Sequence, residues 1–158
     1  MRTVYIVTHG EKEPGPDPVM TTLGFGQVAV LRDKLPISPS IIVCGTGQRQ
    51  QDVAHALGFV PDRYSAAVGG PESLEVKGDG TKVIVMANGL EIDCKDDTTE
   101  ADGAPAMLAL TLRLPDNAVI TTGRVALIML GLTLAEAKSA AVYTVTHDGE
   151  KIQSIQRI

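Results

Sequence analysis

A chain of 158 residues is long enough for one domain with a proper hydrophobic core and too short for two comfortable ones. Its 44% apolar and 21% charged content is globular rather than disordered, and 3% aromatics without Trp leaves the core to Val, Ile, Leu, Ala and Met, a set suited to an interior parallel sheet. A net charge of −5 with scattered basic residues lacks the basic stripe that phosphate-backbone recognition needs, so nucleic acid is not an expected partner.

The run from Thr3 to Thr8 is β-branched and apolar and ends at His9-Gly10-Glu11, which reads as a buried strand feeding a Pro-rich loop, Glu11 to Met20. Thr21 or Thr22 can cap a helix from about Leu23, with Val28, Leu31 and Leu35 on its apolar face. A second buried strand is expected at Ile41 to Cys44. It turns at Gly45-Thr46-Gly47 into a helix from Gln48 to Leu57 with Val53, Ala54 and Leu57 inward. A third strand is expected at Tyr64 to Val68, ended by Gly69-Gly70-Pro71. Lys82 to Ala87 and Leu90 to Cys94 flank Asn88-Gly89, which supplies the positive φ angles of a two-residue hairpin turn. An edge strand there would be open to a partner or to a second copy in a homodimer.

The acidic stretch Asp96 to Asp102 reads as a solvated loop and Ala104 to Leu114 as a helix. Ala118 to Thr121 follows as a buried strand that opens at Thr122-Gly123 into the helix Val125 to Leu132. Ala140 to Thr146 and Lys151 to Ile155 close the chain as a hairpin about Asp148-Gly149. Strands alternating with helices indicate one α/β domain over residues 1–158, a three-layer α/β/α sandwich with a mostly parallel sheet. No stretch reaches membrane-spanning length and the N-terminus does not read as a signal peptide. Cys44 and Cys94 show neither metal-ligand spacing nor a disulfide framework. The expectation is a soluble cytoplasmic protein with reduced thiols, no metal and no cofactor.

Three strand ends carry chemistry-bearing residues: Thr8-His9-Gly10-Glu11, Cys44 to Arg49, and Thr121 to Arg124. If those strands are neighbours, their ends converge on the edge where open α/β sheets bind ligands. There His9 is a nucleophile or base and Arg49 an anion clamp, since guanidinium matches phosphate or carboxylate geometry and stays charged. For His9 taken alone, a partly buried ring satisfied by backbone is the competing reading. Cys44 followed by Arg49 has four intervening residues where the loop of cysteine-dependent phosphatases has five, and no activating neighbour, so Cys44 reads as a small buried hydrophobe. Gly45-x-Gly47 lacks the third glycine of a dinucleotide fingerprint, because Gln50 stands there.

The order of these residues resembles the histidine phosphatase superfamily, the phosphoglycerate-mutase-like proteins. The resemblance rests on Thr8-His9-Gly10-Glu11 for the family's Arg-His-Gly-Glu and on Met20-Thr21-x-x-Gly24-x-x-Gln27 for its first-helix motif. It extends to Gly45-x-x-x-Arg49-x-x-x-Val53-Ala54 for the second-strand motif, and to Thr122-Gly123 where a second His-Gly would stand. The resemblance implies that His9 attacks phosphorus, that Arg49 and Gly10 lie in the phosphoryl pocket, and that Glu72 or Glu75 protonates the leaving group. It also implies that Thr8 and Thr122 stand where an arginine and a histidine would bind phosphoryl oxygens. Each lost charge-assisted donor removes roughly 3 to 4 kcal/mol of transition-state stabilisation. Arg124 is placed to replace part of that charge, or else to be solvated on its helix. Lys12 reads as surface, and neither His55 nor His147 as the missing histidine.

Two functions follow. One is phosphomonoester hydrolysis through phosphohistidine on a small phosphorylated molecule or a phosphoprotein, weakened by the two threonines. The other is an inactive relative that keeps an anion-binding or protein-interaction role.

Overall fold

Residues Val4 and Ile6 face one side of the first strand, β1 (Arg2–Thr8), and Val7 the other, and all three are fully buried. A strand apolar on both faces must lie inside a sheet covered on both sides. In the computed structural model, which describes residues 1–70, 73–76, 78–85, 91–94 and 104–158, it does. Its neighbours are β7 (Ala118–Thr122), parallel, and β8 (Val142–His147), antiparallel. Beyond β7 come β2 (Ile42–Cys44) and β3 (Arg63–Tyr64), both parallel; beyond β8 comes β9 (Ile152–Arg157), antiparallel to it. The order is β3-β2-β7-β1-β8-β9. The sheet is mixed rather than mostly parallel, because the closing hairpin docks antiparallel against β1 instead of standing apart.

Helices α1 (Thr22–Ala29) and α2 (Gln48–Ala56) cover one face, where Val28, Leu31, Leu35, Val53 and Leu57 meet Val7, Val119 and Val142. Helices α3 (Ala104–Arg113) and α4 (Arg124–Met129) cover the other, where Met107, Leu110 and Leu127 meet Ile6, Val43, Ile120 and Tyr143. The three-layer sandwich is therefore present. The helix expected to run through Leu35 ends at Ala29 and continues as a 3-10 turn, Val30–Lys34.

The third strand is shorter than expected. β3 keeps two residues, and after Tyr64 the backbone turns, with Val68 N–H donating to the Ser65 carbonyl at 3.3 Å. A separate antiparallel sheet, β4-β5-β6, is formed by β4 (Ser73–Val76), β5 (Lys82–Val85) and β6 (Glu91–Cys94). The expected pairing of β5 with β6 is present; the Asn88-Gly89 turn and the acidic stretch 96–102 lie outside the described residues. Among the described residues, no helix is long and apolar enough to cross a membrane.

Candidate functional site

The parallel registers bring the three strand ends together: Thr8 pairs with Thr122, and Cys44 with Thr121. Where the strands end, the ladder continues into the loops, His9 N–H donating to the Thr122 carbonyl and Gly45 N–H to the Thr121 carbonyl, both at 3.0 Å. His9, Gly45 and Gly123 therefore leave the sheet side by side.

The His9 ring is held at both nitrogens. Nδ1 lies 2.9 Å from the Gly10 carbonyl oxygen, which can only accept, so the proton sits on Nδ1. Nε2 keeps its lone pair and accepts from Arg49 Nε at 3.2 Å. Burial is the main reason the imidazole pKa is pushed down to about 4, and the positive charges of Arg49, Lys12 and Arg124 push the same way, against the Gly10 hydrogen bond. At neutral pH the ring is uncharged, and its Nε2 lone pair, engaged here by the Arg49 N–H, can reach an electrophile once that N–H turns away. Gly123 provides the room beside it: a Cβ there would stand 3.0 Å from His9 Cδ2 and 3.1 Å from Nε2.

The loop after His9 is fixed by the first-helix motif. Thr21 caps α1 by accepting from Gly24 N–H at 3.0 Å, and its own N–H donates to the Glu11 carbonyl at 2.9 Å. Gly24 lets the Glu11 backbone approach so closely that a Cβ would stand 2.1 Å from the Glu11 carbonyl oxygen. Gln27 Oε1 then accepts the Glu11 N–H at 2.8 Å. Gly10 fits the same contact, since its Cβ would stand 2.6 Å from the Gly24 carbonyl oxygen. The spacing Thr21-x-x-Gly24-x-x-Gln27 is thus a clamp on Gly10-Glu11, and through it on the carbonyl that sets the His9 tautomer.

Arg49, on the first turn of α2, is only 2% exposed. Its neighbour Gln50 is a residue whose role the sequence reading missed. Buried, it accepts from Gly47 N–H through Oε1 at 2.8 Å and donates through Nε2 to the Gly70 carbonyl at 2.9 Å. It thereby ties the loop after β2 to the loop after Val68. The signal was present in Gly45, Gly47 and Gly69, each of which leaves space that the Gln50 amide fills. Asp52, also buried, accepts from Met20 N–H at 2.9 Å and from Gln48 Nε2 at 3.1 Å, anchoring the Pro-rich loop to α2. Cys44 is fully buried, its Sγ donates to the Gly45 and Gln50 carbonyls, and burial raises its pKa, so it is a packed thiol rather than a nucleophile.

Thr8 and Thr122 both have their hydroxyls committed to backbone. Thr8 Oγ1 donates to the Lys138 carbonyl at 2.8 Å and accepts from Ala141 N–H at 3.0 Å, pinning the 138–141 loop whose Ala140 N–H reaches the His9 carbonyl at 2.9 Å. Thr122 Oγ1 donates to the Val68 carbonyl. Arg124 is half-buried, and its guanidinium donates to the Ala137 carbonyl at 2.6 Å and the Leu134 carbonyl at 2.8 Å. It is neither the solvated residue of one sequence reading nor, in this arrangement, directed at His9. It acts on the histidine through its charge alone. Lys12 pairs through its backbone with Met20 and also adds its charge at His9.

Glu72 lies outside the described residues; Glu75 is on β4, paired with Val83. His55 stacks edge-on against Phe25, and His147 pairs with Arg2 at the start of β1, the opposite end of that strand from His9. No group of three or more His, Cys, Asp or Glu able to hold a metal occurs among the described residues. Thr8→Val is expected to leave the Ala141 N–H and Lys138 carbonyl without their hydroxyl partner and to lower stability by about 1 to 3 kcal/mol, read as a drop in the urea midpoint.

No protein-family model and no curated protein matches this sequence. Solved structures do match its fold. The chain is similar to TTHB049 from Thermus thermophilus, with 15% identity, TM-score 0.63 and 99% of each chain covered. It is likewise similar to the product of the open reading frame Rv3214 from Mycobacterium tuberculosis, with 14% identity, TM-score 0.62, and 96% of this chain and 94% of that one covered. A third is the mycobacterial glucosyl-3-phosphoglycerate phosphatase Rv2419c, with 15% identity, TM-score 0.64, and 100% of this chain and 97% of that one covered. The fold is phosphoglycerate mutase-like, a mixed six-stranded sheet flanked by helices.

Proposed function

We propose that the His9 edge is a phosphoryl-binding site of the histidine phosphatase type and that it transfers the phosphoryl group slowly. The substrate class is a small phosphomonoester or a phosphorylated side chain. The observation that carries the reading is the His9 geometry: a proton held on Nδ1 by Gly10, a lone pair on Nε2, and Arg49 2% exposed beside it. In the forward step Arg49 Nε–H shifts from Nε2 to a phosphoryl oxygen, the freed lone pair attacks phosphorus, the phosphorus–oxygen ester bond breaks, and the leaving alcohol takes a proton from an acid, a role for which Glu72 is the nominee. Water then attacks the phosphohistidine, releasing inorganic phosphate and restoring neutral His9. Positive charge from Arg49, Lys12 and Arg124 stabilises the transferring group. The similarity to a glucosyl-3-phosphoglycerate phosphatase supports this class of chemistry.

A second reading, anion binding without turnover, is favoured by a specific observation. Both threonine hydroxyls and two donors of the Arg124 guanidinium are spent on backbone carbonyls, which leaves the pocket without charge-assisted donors at positions 8 and 122.

The test is hydrolysis of p-nitrophenyl phosphate at mildly acidic to neutral pH, with thermal melts in inorganic phosphate alongside. Slow turnover that His9→Gln reduces to background supports the phosphohistidine reading. Stabilisation by phosphate without turnover supports the binding reading, since a ligand that binds only the folded state raises its melting temperature. Neither turnover nor stabilisation overturns both.

A further inference from the structure

Outside the His9 edge, a groove of about 400 Å³ opens between α3 and the edge of the sheet. One wall is β3 and the turn that follows it, from which Arg63, Ser65 and Ala67 line the groove. The other is the face of α3 bearing Ala106, Ala109, Leu110 and Arg113, residues at helical spacing. Among the described residues its lining is apolar apart from Ser65 and two arginines, and contains no carboxylate. Arg63 and Arg113 are both exposed, and among the described residues neither guanidinium has a hydrogen-bond or ion-pair partner. Two guanidinium groups on one small groove are conspicuous in a chain whose net charge is −5.

We propose that this groove binds a small amphipathic organic anion, its carboxylate, sulfonate or phosphate group on Arg63 and Arg113 and its apolar body along Leu110 and Ala67. The chemistry follows from the lining. Guanidinium groups recognise oxyanions by charge-assisted hydrogen bonds, an apolar wall rewards a hydrocarbon or aromatic body, and the volume lies in the range of small-molecule sites. A fully hydrophilic anion such as inorganic phosphate would leave the apolar wall uncovered, and a neutral hydrophobe would leave both arginines unused. None of this depends on the reading of His9.

The probe is anilinonaphthalene sulfonate, compared with uncharged N-phenylnaphthylamine, by fluorescence titration of the folded full chain. Saturable binding at one site per chain is expected. Arg63→Gln with Arg113→Gln should weaken the sulfonate dye by about tenfold or more while changing the neutral dye little. Ala109→Phe, at an exposed helix position, should block both dyes by filling the groove. His9→Gln should change neither. Sulfonate binding that survives the double arginine substitution, or that disappears in His9→Gln, would overturn the assignment.

Discussion

A Gly24→Ala protein is expected to lose about 3 kcal/mol of stability, the upper part of the range for overpacking a site that cannot relax. The new Cβ would stand 2.1 Å from the Glu11 carbonyl oxygen and 2.9 Å from the Glu11 nitrogen. Both are backbone atoms, so relief has to come from separating α1 from the loop after His9. That separation breaks the Glu11 N–H bond to Gln27 and the Thr21 N–H bond to the Glu11 carbonyl. The Gly10 carbonyl that orients His9 moves with it, because Gly10 packs on the Gly24 backbone. Gly26, two residues along the same helix, is the control: a Cβ there meets nothing within 4 Å. Gly26→Ala is expected to be stabilising by up to about 1 kcal/mol through helix propensity. Urea unfolding of the two variants, with opposite shifts from one substitution type, checks the clamp; a Gly24→Ala protein as stable as the parent would contradict it.

Acid is expected to destabilise the folded chain through His9 before its carboxylates are fully protonated. The histidine titrates near 6.5 when unfolded and at about 4 when folded, so between those values the unfolded chain binds a proton that the folded chain does not. Stability from this source is fully present above pH 6.5 and falls by about 3 kcal/mol by the time pH approaches 4. The cause is mainly burial of the ring, with Arg49 nearby, and not a lost ion pair. In His9→Gln that slope should vanish while the slope contributed by carboxylates remains. Equal acid sensitivity in the two proteins, measured by urea midpoints at neutral pH and near pH 4, would mean that the ring is hydrated and titrates normally.

Much of the site is legible in the sequence because its parts are local. His9 follows an apolar run that can only be an interior strand, and Thr21, Gly24 and Gln27 sit at the spacing that a helix cap, a close approach and a returning amide require. Arg49 follows its strand at the first turn of a helix. What is not legible depends on partners distant in sequence. The Thr8 and Thr122 hydroxyls and the Arg124 guanidinium bond to Lys138, Val68, Leu134 and Ala137, and nothing in the residues themselves says which carbonyl will face them. Gln50 is inconspicuous in the sequence, where it stands merely in place of a fingerprint glycine, although glycines on both sides of the chain make room for it.

The fold departs from expectation for similar reasons. Tyr64 to Val68 has strand-like composition, but only Arg63 and Tyr64 find a ladder partner, on β2, before the backbone turns towards Gly69. β4 alternates polar and apolar residues over only four positions, too short a run to separate a strand from a loop. The hairpin at the C-terminus is expected from its turn and its apolar runs, but its antiparallel docking on β1, which makes the sheet mixed, is a choice among sheet edges that periodicity does not encode.

The committed hydroxyls also bear on what an arginine substituted at position 8 would meet. An arginine at position 8 would have to displace a fully buried side chain that pins the 138–141 loop, itself attached to the His9 carbonyl.

The most direct test of phosphoryl transfer at this edge is intact-mass spectrometry of the protein after incubation with an aryl phosphate and rapid quenching at alkaline pH, where phosphohistidine survives. An acid-labile phosphoryl adduct that maps to His9 and is missing from His9→Gln is the expected result. An adduct on another residue, or none in a protein that binds phosphate at this edge, would contradict phosphoryl transfer to His9 and leave the site as an anion-binding pocket.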